Sequence, residues 1–261
     1  MKFTGQCGLC QHESELKQSH VLPAATFRLA REVKDKNPNP IVVTPRGATA
    51  TSSQISSPFL CAQCEDRFSR LGERFVFDQC LRGEARFAIR AKLLKLDPIA
   101  EDRGVAAYDV SGVPGIRPEQ YLYFASSVFW RASAQQWYHD GRPIERIALG
   151  TRYQEEFRQY LLDQAPFPSN ARVFIHVWRG SGPGATSVMP CSERIKGTLR
   201  HKFCVPGLLF ILFLGQHANS EHDAFALNSG AGNFMWVCPF ENDSLFQGFG
   251  RLIKRAERAR S

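Results

Sequence analysis

Two cysteine pairs of identical spacing constrain this chain more than any other feature: Cys7-Gly-Leu-Cys10 and Cys61-Ala-Gln-Cys64. Four thiols in two Cys-x-x-Cys pairs match the tetrahedral ligand set of a structural zinc, each pair forming one tight knuckle. A metal held this way clamps two distant stretches of chain, the hairpin after the first pair and the helix after the second. Redox-active dithiols use the same spacing, but neither pair lies in a strand–helix–strand context. The remaining cysteines, Cys80, Cys191, Cys204 and Cys238, are scattered, and all but Cys191 have apolar neighbours. They read as buried thiols rather than as a disulfide framework.

A chain of 261 residues with 43% hydrophobic content can bury one large core or two modest ones. Its most apolar run, VPGLLFILFL from Val205 to Leu214, is about half the roughly 20 residues that span a bilayer. It reads as a buried strand, and no membrane partner is expected. The opening MKFTGQCG lacks a signal-peptide core, so a cytoplasmic location is expected. The formal charge of +8 and pI near 9.2 favour an anionic partner, nucleic acid first, with plain solubility charge as the alternative.

Two units are expected, residues 1–97 and 98–261. In the first, ELKQSHVLP reads as a strand entering a turn, and Phe27, Ala30 and Val33 repeat at helical spacing. Residues 37–58, rich in Pro, Ser and Thr, form a polar excursion with one short strand at PIVVTP. Phe68, Leu71 and Phe75 mark a helix after Cys64, with Gly72 and Gly83 dividing the helical stretch into two pieces. In the second unit, PEQYLYFASSVFWRASAQQWY reads as a buried helix and RYQEEFRQYLLDQ as an amphipathic one. ARVFIHVW, GLLFILFLG and NFMWVCPF read as strands, and the chain closes on a helix with a basic tail. Helices followed by strands predict an α+β fold, with a mixed helix and antiparallel-strand second domain.

A knuckle, a strand ending in Ser19-His20-Val-Leu-Pro23, an intervening segment, and a knuckle opening a helix with Cys61-x-x-Cys64-Glu65 resemble the HNH (His-Asn-His) endonuclease family. The likeness covers about residues 5–80. It is to a branch with Ser-His-x-x-Pro and Cys-x-x-Cys-Glu, some of whose relatives are associated with anti-phage defence. It implies a zinc-stabilised ββα-metal, or treble clef, core and a metal-dependent nuclease acting on nucleic acid, DNA first.

By that resemblance His20 is the general base that activates water, a task suited to imidazole. Glu65 stands where the family binds its catalytic cation, and a carboxylate suits Mg²⁺ or Mn²⁺; it also reads as a first-turn glutamate favoured by the helix dipole. Ser19 replaces the usual aspartate, and Ser56 or Ser57 stands near the expected asparagine. Glu73, roughly 12 Å down the helix from Glu65, is expected to form a structural ion pair with an arginine, and Arg131 to be paired if buried. Arg70, Arg74, Arg82, Arg86, Arg90 and Lys92, with Lys254 and Arg255 in the tail, are candidates to hold phosphates, against the reading of a solvated basic face. His217 and His222 lack metal-ligand spacing for one helical face. The second unit recognises substrate, oligomerises or restrains the nuclease. The alternative function is a zinc-dependent nucleic-acid or protein binding module without catalysis.

Overall fold

The computed structural model describes residues 3–31, 41–44, 47–50, 54–83, 86–180, 186–195, 198–215 and 224–239. Strands β1 (Phe3–Gln6) and β2 (Glu13–His20) pair antiparallel, Phe3 opposite Leu16 and Gln6 opposite Glu13. The first knuckle is the turn between them. There Gln11 N–H donates to Cys7 O and Cys7 N–H to His12 O, both at 2.9 Å, with Gln11 in the left-handed region. Helix α1 (Ala24–Arg31) starts directly after Pro23, and β3 (Ile41–Thr44) with β4 (Gly47–Ala50) forms a separate hairpin.

Strand β5 (Ser56–Cys61) pairs antiparallel with β2 and completes a sheet of order β1-β2-β5. Lys17 faces Leu60 but Gln18 faces Pro58, so Phe59 is the extra residue of a β-bulge. Neither polar group freed by the bulge is wasted. Phe59 O accepts from Gly8 N–H at 2.9 Å, and Leu60 N–H donates to Ser19 Oγ at 3.0 Å. The bulge thereby ties β5 to the knuckle.

Helix α2 (Ala62–Phe68) runs through a π-helical turn, Ser69–Glu73, into α3 (Arg74–Gln79). The expected division falls at Gly83, not Gly72. Gly83 takes φ 55 where β6 (Leu81–Arg82) turns into β7 (Arg86–Phe87), and α4 (Ala88–Leu93) follows. Gly72 has a different role: a Cβ there would lie 3.0 Å from the Phe124 backbone, so the glycine admits a neighbouring helix.

That neighbour is α5 (Pro118–Ala134), which follows β8 (Ala100–Asp102) and β9 (Val105–Asp109). Proline in its first turn and Glu119 beside the positive end of the dipole set its start. Tyr121 and every residue from Tyr123 to Ser133 are buried, as the apolar composition predicts for a central helix. Phe68, Phe75 and Phe77 pack their rings on Tyr123, Tyr121 and Phe124 of α5; on the sheet side Phe203 and Phe210 pack on Phe124, and Phe203 on Phe129. Core residues before and after Asp97 therefore belong to one continuous cluster.

After the two-residue strands β10 (Tyr138–His139) and β11 (Arg142–Pro143), the amphipathic α6 (Gly150–Leu161) buries Phe157 and Leu161. The main sheet is completed by β12 (Ala171–Trp178), β13 (Val188–Ile195), β14 (Thr198–Val205), β15 (Leu208–Leu214) and β16 (Phe234–Cys238). Its order is β13-β14-β15-β12-β16-β9-β8. The fold is α+β, as expected. Two details differ from the sequence reading. β12 and β16 run parallel within an otherwise antiparallel sheet. The apolar run from Val205 to Leu214 is not one strand, because Pro206-Gly207, with Gly207 at φ 83, turns the chain between β14 and β15. Among the described residues no helix is long and apolar enough to cross a membrane.

Candidate functional site

The bulged sheet and the start of α2 bring all four predicted thiols together. The Sγ atoms of Cys7, Cys10, Cys61 and Cys64 lie within 4.8 Å of one another, with Cys10 and Cys61 at 3.9 Å. Tetrahedral zinc with Zn–S near 2.3 Å requires sulfur–sulfur separations of about 3.8 Å, so the quartet can hold such an ion with small adjustments. Gly8 must be glycine for this packing, since a Cβ would lie 2.1 Å from the Phe59 ring. The electrostatics suit a metal as well. The Cys64 thiol and the N–H groups of Cys61, Cys10 and Leu9 hold the Cys7 thiol down at about 4, against its burial. The Cys64 thiol, donating to Cys7, is pushed up. Four thiolates cannot coexist in this space without a cation to balance them.

His20 ends β2, opposite Ser56, and is half-buried. Burial lowers its pKa below the ordinary 6.5; the Glu65 charge opposes this, the Arg131 charge adds to it, and a hydrogen bond from the ring to the Gln54 side chain opposes it again. Glu65 lies in the first turn of α2, and its Oε1 is buried without a hydrogen-bond partner. Glu73, the last residue of the π turn, pairs with Arg131 through Oε1 and Nη2 at 2.8 Å. Both expected pairings, of Glu73 with an arginine and of Arg131 with a carboxylate, are met in this single contact. Burial still pushes the Glu73 carboxyl up, while Arg131 opposes it. His20, Glu65, Glu73 and Arg131 thus form one cluster of electrostatically interacting side chains.

Ser19, in the position of the family's aspartate, is buried and spends its hydroxyl on Leu60 N–H. Ser57 accepts from Gln135 Nε2 at 3.3 Å. The residue that reaches the His20 ring is Gln54, which sequence reasoning missed. Gln54 lies in the polar segment between the knuckles, two residues before the nearer of the serines taken for the asparagine position. Among the described residues the cysteine quartet is the one group of three or more His, Cys, Asp or Glu side chains close enough to hold an ion. Glu65 belongs to no such group of three among the described residues.

The basic row is largely committed to internal partners. Arg70 and Arg74 share Asp66 at 2.6 and 3.7 Å, and Arg82 pairs with Asp78 at 3.0 Å. Arg90 donates to Arg179 O at 3.1 Å, and Lys92 to Gly115 O at 2.6 Å. Arg70 and Arg74 remain exposed on the surface of the helix. Lys254 and Arg255, with the rest of the tail, and His217 and His222 lie outside the described residues.

No family model, curated protein or solved structure matches this chain.

Proposed function

We propose that the chain is a metal-dependent endonuclease of HNH type, with a zinc-bound treble clef core and His20 as general base, acting on nucleic acid and on DNA first. One observation carries the reading: the buried, unpartnered Oε1 of Glu65 stands close to a histidine whose neutral form is favoured. A buried carboxylate oxygen without a donor calls for a proton or a cation. The treble clef reading rests on the order of parts: a knuckle inside a hairpin, a third strand, and a second knuckle opening a helix.

In this reading the neutral imidazole of His20 takes a proton from the attacking water, and Gln54 fixes the plane of the ring. A divalent cation at Glu65 would supply charge neutralisation at the scissile phosphate and the leaving oxygen. One carboxylate is a sparse ligand set, but Mg²⁺ commonly keeps its waters and binds through one or two carboxylates plus substrate phosphates. The four thiolates hold zinc for structure only, since a fully protein-ligated ion has no open position.

The test is incubation of the purified chain with plasmid DNA, genomic DNA and RNA, each with Mg²⁺, Mn²⁺ or chelator. Cleavage that needs the added cation is expected, strongest on DNA. Glu65→Ala is expected to weaken it, with partial recovery at raised Mn²⁺. A second reading, a zinc-dependent binding module without catalysis, is favoured by the buried Ser19 hydroxyl and the single carboxylate. Its signature is tight nucleic-acid binding with no cleavage under any cation.

A further inference from the structure

We propose that Arg131, on the central helix of the second unit, is a positioning residue for His20, so that the catalytic strand is aimed by a part of the chain outside the HNH-like core. The proposal rests on the nuclease reading of His20. Arg131 Nη1 donates to the backbone carbonyl of His20 at 3.1 Å. Its Nη2 donates to Glu73 Oε1 at 2.8 Å and to Ser127 Oγ at 3.4 Å, and its Nε donates to Ser127 O at 3.3 Å. The guanidinium also lies over the Phe68 ring, 5.1 Å from its centroid.

The side chain of Arg131 is 1% exposed, so it reaches no phosphate and its action on the reaction runs through what it holds. His20 closes β2, and the chain bends away at Val21 and Leu22 immediately beyond it. The last residue of a strand lacks the next ladder bond and is the one most free to drift. The planar fork of arginine holds His20 O and the Glu73 carboxylate in one fixed relative geometry, which the freely rotating ammonium of a lysine does not impose. Glu73 is delivered by the end of the π turn, and Ser127 anchors the fork to its own helix. Three elements therefore converge on the residue that must be aimed within a fraction of an ångström.

Arg131→Met alone would leave the buried Glu73 carboxylate unpaired, so the informative variant joins it with Glu73→Gln, removing both charges. Arg131→Lys is the second, gentler probe, keeping a charge beside Glu73 while losing the fork. In the full-length zinc-loaded protein, two readouts are taken: steady-state cleavage, and the imidazole Cε1–H NMR signal of His20, assigned by its loss in His20→Ala. We expect both variants to hold zinc and melt cooperatively. In the double variant kcat should fall about 10- to 100-fold with KM within about twofold, and the His20 signal should shift or broaden. Arg131→Lys should move both readouts the same way by less. A His20 signal and kcat matching wild type in the folded variants would overturn the proposal. Should wild type cut nothing while the His20 signal moves in the variants, the nuclease reading falls and the positioning role stands.

Discussion

Burial outweighs every other influence on the His20 imidazole, and it favours the neutral form that a general base needs. In the zinc-loaded protein free of Mg²⁺ and Mn²⁺, NMR titration should place the His20 pKa below 6.5. Glu65→Gln should lower it further, because the Glu65 charge raises it; an unchanged or higher value in that variant would contradict the arrangement. The sign for stability follows. A folded pKa below the unfolded 6.5 means the unfolded chain binds more protons, so stability falls as pH drops from 6.5 toward the folded value. His201, buried and lowered to about 4, adds to the same acid weakness. At this scale the sequence was a good guide where a motif or a charge argument applied. The clustering of the four cysteines and the pairing of Glu73 were both readable. Gln54 was not, because it reaches the ring from the polar segment between the knuckles, outside either motif.

The helical run from Ala62 to Gln79 poses a sharper test at the level of elements. Helix propensity alone says Gly72→Ala should stabilise by about 1 kcal/mol. The Cβ would meet the Phe124 backbone at 3.0 Å, and backbone yields less readily than a side chain. Overpacking costs about 1–3 kcal/mol, so Gly72→Ala should lower the midpoint of chemical denaturation; a rise would mean that α5 can shift freely. The knuckles make a second prediction. Cys61→Ser removes one of four clustered thiols, and a chelator strong enough to strip a zinc held there would remove the clamp altogether. Both should lower the melting temperature and loosen β5 against β2, read by hydrogen exchange, because metal binding and local folding are linked. An untouched melting curve after zinc removal would make the quartet incidental. Periodicity found the strongly apolar elements, α5, β12, β15 and β16. It passed over β13 and β14, whose MPCSER and LRHK stretches carry consecutive polar and charged residues. His201 and Lys202 are nevertheless buried, satisfied by cross-strand partners: Lys202 Nζ lies 2.8 Å from Glu193 Oε1, and Ser192 Oγ meets His201 Nδ1 at 2.8 Å.

Across the whole molecule, the cysteine-bearing N-terminal elements and the large sheet both pack on α5, and Phe124 touches each. Arginines stitch the N-terminal elements to α5 and α6 at three points: Arg67 to Leu161 O, Arg131 to His20 O, and Arg158 to Leu9 O inside the first knuckle. The surplus of positive charge was plain in the composition, but its distribution was not. Most of the basic row along the helix is tied to Asp66, Asp78 and backbone carbonyls. Composition counts charges without their partners, so a nucleic-acid face could not be drawn from it. The account turns instead on one side chain at the end of one strand. The most direct measurement is the rate of plasmid cleavage by zinc-loaded His20→Ala beside wild type, in Mg²⁺ or Mn²⁺. The account predicts a variant with wild-type zinc content, melting temperature and DNA affinity, and cleavage reduced by at least about 100-fold. A folded His20→Ala protein that cuts as fast as wild type would contradict it.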